Sequence, residues 1–106
     1  MPVLEPRPTL PAFQAYVVEM EEERGFSLQT PVQKCLLLGE ELGELFKAVR
    51  KAEGISIDER AEVGGVAEEM ADVLILLCAL ANRYGVDLER AFRDKEEVNK
   101  TRRWIS

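Results

Sequence analysis

Residues 31–52 read PVQKCLLLGEELGELFKAVRKA, and this stretch decides the fold. Thr30 before Pro31 is a helix N-cap followed by proline at the first helical position. Lys34, Leu38, Glu41, Leu45 and Ala48 then recur at spacings of four, three, four and three, one stripe of an α-helix. The helix is expected to run to about Ala52, before Gly54 breaks it. Glu44 lies one turn beyond Glu41 on the same side. Two carboxylates therefore sit on or beside an apolar stripe, whereas water would solvate a charge on the opposite face.

The pattern recurs downstream. Val66, Glu69, Val73 and Leu76 form a stripe of a third helix, and Asp72 follows Glu69 by three. This helix is apolar almost all round from Val73 to Ala81, so it is expected to be the most buried element. Asp58 is a candidate cap, with Gly64-Gly65 able to delay the start, and Gly85 marks the end. Upstream, Pro2, Pro6 and Pro8 make residues 1–9 an extended lead-in. Thr9 and Pro11 then open a first helix bearing Phe13, Tyr16, Val17 and Met20, which Gly25 stops. Asp87 caps a fourth helix expected to reach about Arg103. No segment alternates with period two. Four helices with short connections over residues 1–106 predict one all-α domain, an antiparallel four-helix bundle or a close relative.

Composition narrows the chemistry. The 106 residues include no histidine, so Ser-His-Asp and Cys-His nucleophiles, His-based zinc sites and Glu-x-x-His di-iron sites are absent from this chain alone. Cys35 and Cys78 lie in apolar helical patterns and read as buried reduced thiols. The net charge of −6 argues against a nucleic-acid partner. The longest apolar run, Val73 to Ala81, is too short for a membrane span. Glu5, Arg7 and three prolines precede any apolar stretch, which does not read as a secretory signal. A cytoplasmic protein is expected.

Carboxylates, lysine, arginine and hard cations remain. Glu41, Glu44, Glu69 and Asp72 beside apolar neighbours must protonate or find a cation. A hard divalent ion resolves the conflict. Mg²⁺ is the expected one, with Mn²⁺ a substitute, because it prefers carboxylate oxygens and leaves positions for phosphates. On the fourth helix Leu88, Phe92, Lys95, Asn99 and Arg103 descend as a stripe that turns basic, suited to phosphate oxygens. Glu40 and Glu68 point about 100° away from the proposed ligands. Glu68 reads as surface. Glu40 reads equally as surface or as a catalytic base.

At these residues the chain resembles the MazG-like nucleoside triphosphate pyrophosphohydrolases, an all-α group. The family pattern E-E-x-x-E followed by E-x-x-D is matched by Glu40-Glu41-Leu42-Gly43-Glu44 and Glu69-Met70-Ala71-Asp72. Arg24-Gly25-Phe26 is similar to its R-G-(W/F) segment, and Lys95, Asn99 and Arg103 to its K-x-x-x-N-x-x-x-R tail. The resemblance implies hydrolysis of an NTP or dNTP to monophosphate and pyrophosphate, with Mg²⁺ on Glu41, Glu44, Glu69 and Asp72. Glu40 or Glu41 would act as catalytic base. Lys95, Asn99, Arg103, Phe26 and Lys34 would bind substrate, with Phe26 standing where Trp is commoner. A homodimer or homotetramer that removes unwanted nucleotides is implied. The alternatives are dUTP or phosphoribosyl-ATP hydrolysis, or a non-catalytic helical adaptor that senses metal or nucleotide.

Overall fold

In the computed structural model, which describes residues 1–105, Thr9 caps the first helix by accepting the Ala12 N–H at 3.2 Å. Helix α1 spans Leu10–Arg24 and ends on Gly25, whose φ of 80° is the left-handed conformation that suits a residue without Cβ. Helix α2, Pro31–Ala52, opens with a reciprocal cap. Thr30 Oγ1 accepts from the Gln33 amide, and the Gln33 side chain accepts from the Thr30 amide. Helix α3 is Val66–Arg83 and helix α4 is Leu88–Asn99, the latter capped by the Asp87 carboxylate on the Arg90 amide.

Two expected boundaries move. Asp58 does not cap α3: its carboxylate accepts the Arg60 amide in a local turn, and Gly65 takes the cap position without a side-chain bond. Helix α4 stops four residues short of Arg103. Thr101 Oγ1 donates to the Val98 carbonyl at 2.7 Å, taking up an oxygen that a further helical turn would have used.

The most extensive packing joins α2 to α3. Helix α1 covers another side of α3, and α4 rests on α1. Val17, Met20, Cys78 and Ala79 form the core, with Phe13, Tyr16, Leu74 and Leu88 packed against it. Gln14 ties the ends together. Its amide donates to Asn82 Oδ1 and to the Val86 carbonyl, and its oxygen accepts the Leu88 amide.

The expectation that α3 is the most buried element is not met within one chain. Met70, Ile75 and Leu77 are exposed, because α1 and α2 cover only part of a helix that is apolar nearly all round. Cys35 is also exposed, while Cys78 is buried as expected. The radius of gyration is 16.4 Å, against about 13 Å for a compact domain of this length. The accessible surface is 8297 Å², against about 6000 Å² for a monomer of 12.0 kDa. No helix among the described residues is long and apolar enough to cross a membrane.

Candidate active site

Glu41 projects from α2, and Glu69 and Asp72 from α3, so the main helix pair brings them together. One carboxylate oxygen from each lies within 4.8 Å of the other two. Like charges this close need a cation or a proton. Burial first, then the Asp72 charge, a hydrogen bond with Glu69 and the charges of Glu69 and Glu44, push the Glu41 carboxyl above its ordinary range. Glu41 and Glu69 are half-buried and Asp72 is exposed, and such hard oxygen donors converging from two helices fit a divalent cation.

The residue before Gly65 matters here. A Cβ at Gly64 would overlap Glu69 Oε1, so glycine at this position leaves room for the carboxylate. Read from sequence, Gly64 is only a helix breaker.

Glu44 stands apart from the trio. It is close enough to influence Glu41, but its side chain pairs with Lys47 at 3.6 Å. Glu40 and Glu68 are exposed.

A cleft of about 370 Å³ leads away from Glu41 and Asp72 between α2 and α3. Leu37, Ile75, Leu76 and Ala79 line its middle, and Phe26, Gln29, Lys34 and Glu21 its far end. That end is built on buried charge. Lys34, 3% exposed, reaches Glu21 Oε2 at 2.7 Å. Arg83 grips the same carboxylate with both terminal nitrogens, at 2.6 and 2.9 Å. Burial pushes the Glu21 carboxyl up, but hydrogen bonds from Arg83 and Lys34, with their charges, outweigh it and hold it below the usual range. Arg83 also donates to the carbonyls of Phe26 and Gln29, so one guanidinium fixes the α1–α2 loop to α3. Lys34 Nζ lies 5.3 Å from the Phe26 ring centroid, a cation–π contact.

The residues read from sequence therefore divide. Phe26 and Lys34 share the cleft with Glu41 and Asp72. Lys95 and Asn99 line a separate apolar hollow with Leu74, Leu77 and Phe92, which shares no lining residue with the cleft. Arg103 lies beyond the end of α4 and off its stripe. Sequence reasoning misses Glu21, Arg83 and Gln29, and the room that Gly64 leaves for Glu69. Glu21 had a signal, since it follows Val17 by four on the apolar face of α1.

Residues 29–103 match the MazG nucleotide pyrophosphohydrolase domain. The chain belongs to the MazG family. Among its relatives is rat dCTP pyrophosphatase 1, 38% identical over an alignment of 102 residues that covers 92% of this chain. The chain spans 60% of the length of that protein and of its human counterpart. Two solved MazG structures share the fold. A cyanophage S-2L MazG-like pyrophosphohydrolase, bound to dGDP and three catalytic Mn²⁺ ions per active site, is 29% identical with a TM-score of 0.71, covering 95% of this chain and 87% of its own. The iMazG protein from Vibrio DAT 722 is 35% identical with a TM-score of 0.61, covering 87% of this chain and 94% of its own.

Proposed function

We propose that this MazG protein hydrolyses a deoxynucleoside triphosphate to the monophosphate and pyrophosphate. One observation carries the reading. Glu41, Glu69 and Asp72 converge at one end of a cleft whose other end offers an aromatic ring and polar groups. The cleft thus joins a place for metal-bound phosphates to a place for a base. The name of the rat relative makes dCTP the first substrate to try.

Glu41, Glu69 and Asp72 would hold divalent cations, with Glu44 one turn away as a further ligand once it leaves Lys47. Mg²⁺ is the physiological candidate, and the Mn²⁺ of the phage relative supports a hard divalent ion. Such ions offset phosphate charge and make water more acidic. Glu41, inside the trio, would take a proton from the attacking water, with the exposed Glu40 as the other candidate. Phe26 offers a face on which a base can stack. The apolar middle of the cleft excludes water from the sugar.

The test is product identity. With Mg²⁺, chromatography of dCTP reactions should show dCMP and pyrophosphate. A diphosphate with orthophosphate would place attack at the terminal phosphate and refute the mechanism. No turnover across the common nucleotides would favour a non-catalytic sensor.

The protein is also proposed to be a homodimer or homotetramer. Its accessible surface exceeds that of a compact monomer by roughly 2300 Å², within the range of about 1000–2500 Å² that each partner of an obligate dimer covers. Phe46, Met70 and Phe92, each more than half exposed, supply apolar area for it. Assembly would also be the means for Lys95 and Asn99, which lie apart from the cleft of their own chain, to meet phosphates. Sedimentation at micromolar concentration should show no dominant monomer, and a clean monomer would refute the proposal.

A further inference from the structure

Gln29 carries a feature that the phosphate chemistry does not use. Its side-chain oxygen, Oε1, is buried and has no hydrogen-bond partner among the described residues. Buried polar atoms are nearly always paired, so an orphan acceptor on a residue that lines the cleft marks a place where a donor is missing. The backbone around it is firmly held. The Gln29 amide donates to the Phe26 carbonyl at 3.1 Å, and Arg83 Nε donates to the Gln29 carbonyl at 2.9 Å. Arg83 is itself locked on Glu21. The loop therefore presents the Gln29 side chain from a fixed base rather than from a mobile tip.

Gln29 lines the same cleft as Phe26 and Lys34, at the end away from Glu41 and Asp72. A nucleotide with its phosphates at the carboxylates directs its base toward this end. The Phe26 ring can take the flat face of any base and so distinguishes little. An orphan carbonyl oxygen distinguishes more, because it accepts from an amino group and repels a carbonyl. Cytosine and uracil differ along one edge: cytosine carries an exocyclic amino group where uracil carries a carbonyl, and a bare ring nitrogen where uracil carries an N–H, so an acceptor facing the exocyclic position favours cytosine.

We infer that Gln29 is the specificity-determining residue of this cleft, its Oε1 accepting a hydrogen bond from the exocyclic amino group of the substrate base. The inference rests on the functional reading above and narrows its substrate to amino-bearing bases, dCTP before dUTP. The loop bonds hold Gln29 in place, and the triphosphate chemistry proceeds elsewhere.

The experiment compares dCTP and dUTP on the full chain with Mg²⁺, for the wild type, Gln29→Met and Gln29→Glu. The wild type should prefer dCTP in kcat/KM by about tenfold or more, the factor that one satisfied buried bond supplies. Gln29→Met keeps the length but loses the acceptor, so its ratio should collapse toward one. Gln29→Glu keeps an acceptor oxygen beside Arg83 and should retain the preference. The ratio between two substrates on one sample does not change with the fraction of folded protein, so a merely structural role for Gln29 would leave it unmoved. A wild type without preference, or one favouring dUTP, overturns the inference, and so does a Gln29→Met variant that still favours dCTP. Calorimetric binding of dCMP against dUMP reads the same preference without turnover. Preference for dCMP with no hydrolysis would sink the hydrolase reading alone. Hydrolysis without preference would sink the role of Gln29 alone.

Discussion

Glu69→Gln should abolish nucleotide hydrolysis while leaving the metal-free protein no less stable. Loss of even the groups that orient metal ligands costs about 10–100-fold, and loss of a ligand's own charge should cost more. Stability runs the other way. Glu69 helps to push the Glu41 carboxyl up, after burial and the Asp72 charge. An acid whose folded pKa exceeds its unfolded one is penalised when ionised. In the metal-free protein that penalty is fully present above the raised folded pKa and is relieved as pH falls toward the unfolded value. Glutamine removes one repelling charge and keeps the shape. With Mg²⁺ the order reverses. At a hundredfold excess over Kd the wild type gains about 2.7 kcal/mol, and the variant gains less. Thermal melts of both proteins in EDTA and in Mg²⁺, at one protein concentration, give the four values. Equal stabilisation of both by Mg²⁺ would remove Glu69 from the ligands. A variant clearly weaker in EDTA would show that Glu69 holds the fold.

The largest loss of stability should come from Glu21→Gln. Glu21 is 3% exposed and carries the only carboxylate among the described residues that Lys34 and Arg83 contact. Removing its charge leaves the buried Lys34 and the partly buried Arg83 without a counter-charge, which costs about 3–5 kcal/mol. The Arg83 bonds to Phe26 and Gln29 would loosen with it, so the α1–α2 loop should exchange amide hydrogens faster. The pH dependence has a definite sign. Because the folded pKa of Glu21 is lowered, its contribution is fully present above the unfolded value, and it is lost as pH falls through the folded one. The gap between wild type and variant should therefore narrow below about pH 4. Urea unfolding across pH measures it. A gap under about 1 kcal/mol at neutral pH would mean that water reaches the pair and that the network does not anchor the loop.

Local signals are legible in the chain, and pairings between distant segments are not. Thr9, Gly25, Thr30 and Asp87 act where side-chain chemistry places them, because a cap needs only its own neighbours. Glu41, Glu69 and Asp72 could be grouped because each sits on a stripe beside apolar residues, and two such stripes must face one another. Lys34 shares that stripe, and nothing local to it shows the buried carboxylate it meets. Its partner, Glu21, lies on another helix, and the third member, Arg83, is 62 residues further along. Periodicity places a side chain on a face of its own helix and does not say which helix faces it. The same limit put Lys95 and Asn99 beside the carboxylates, although within one chain α4 rests on α1. Cys35 illustrates a different limit. The run Cys35-Leu36-Leu37-Leu38 is apolar on more of the wheel than α3 alone can cover, so part of it stays in solvent.

Lys34 and Glu41 stand on one uninterrupted helix, seven residues apart, and both line the same cleft. At 1.5 Å per residue that separation is about 10.5 Å, and a helix holds such a length rigidly. Helix α2 is therefore a ruler. A molecule that touches both marks must be about as long as a nucleoside with its phosphates extended. A free nucleobase or an inorganic pyrophosphate reaches only one mark. Cleavage as proposed would shorten the nucleotide on the ruler, so each product would leave with fewer contacts than the intact molecule had on arrival.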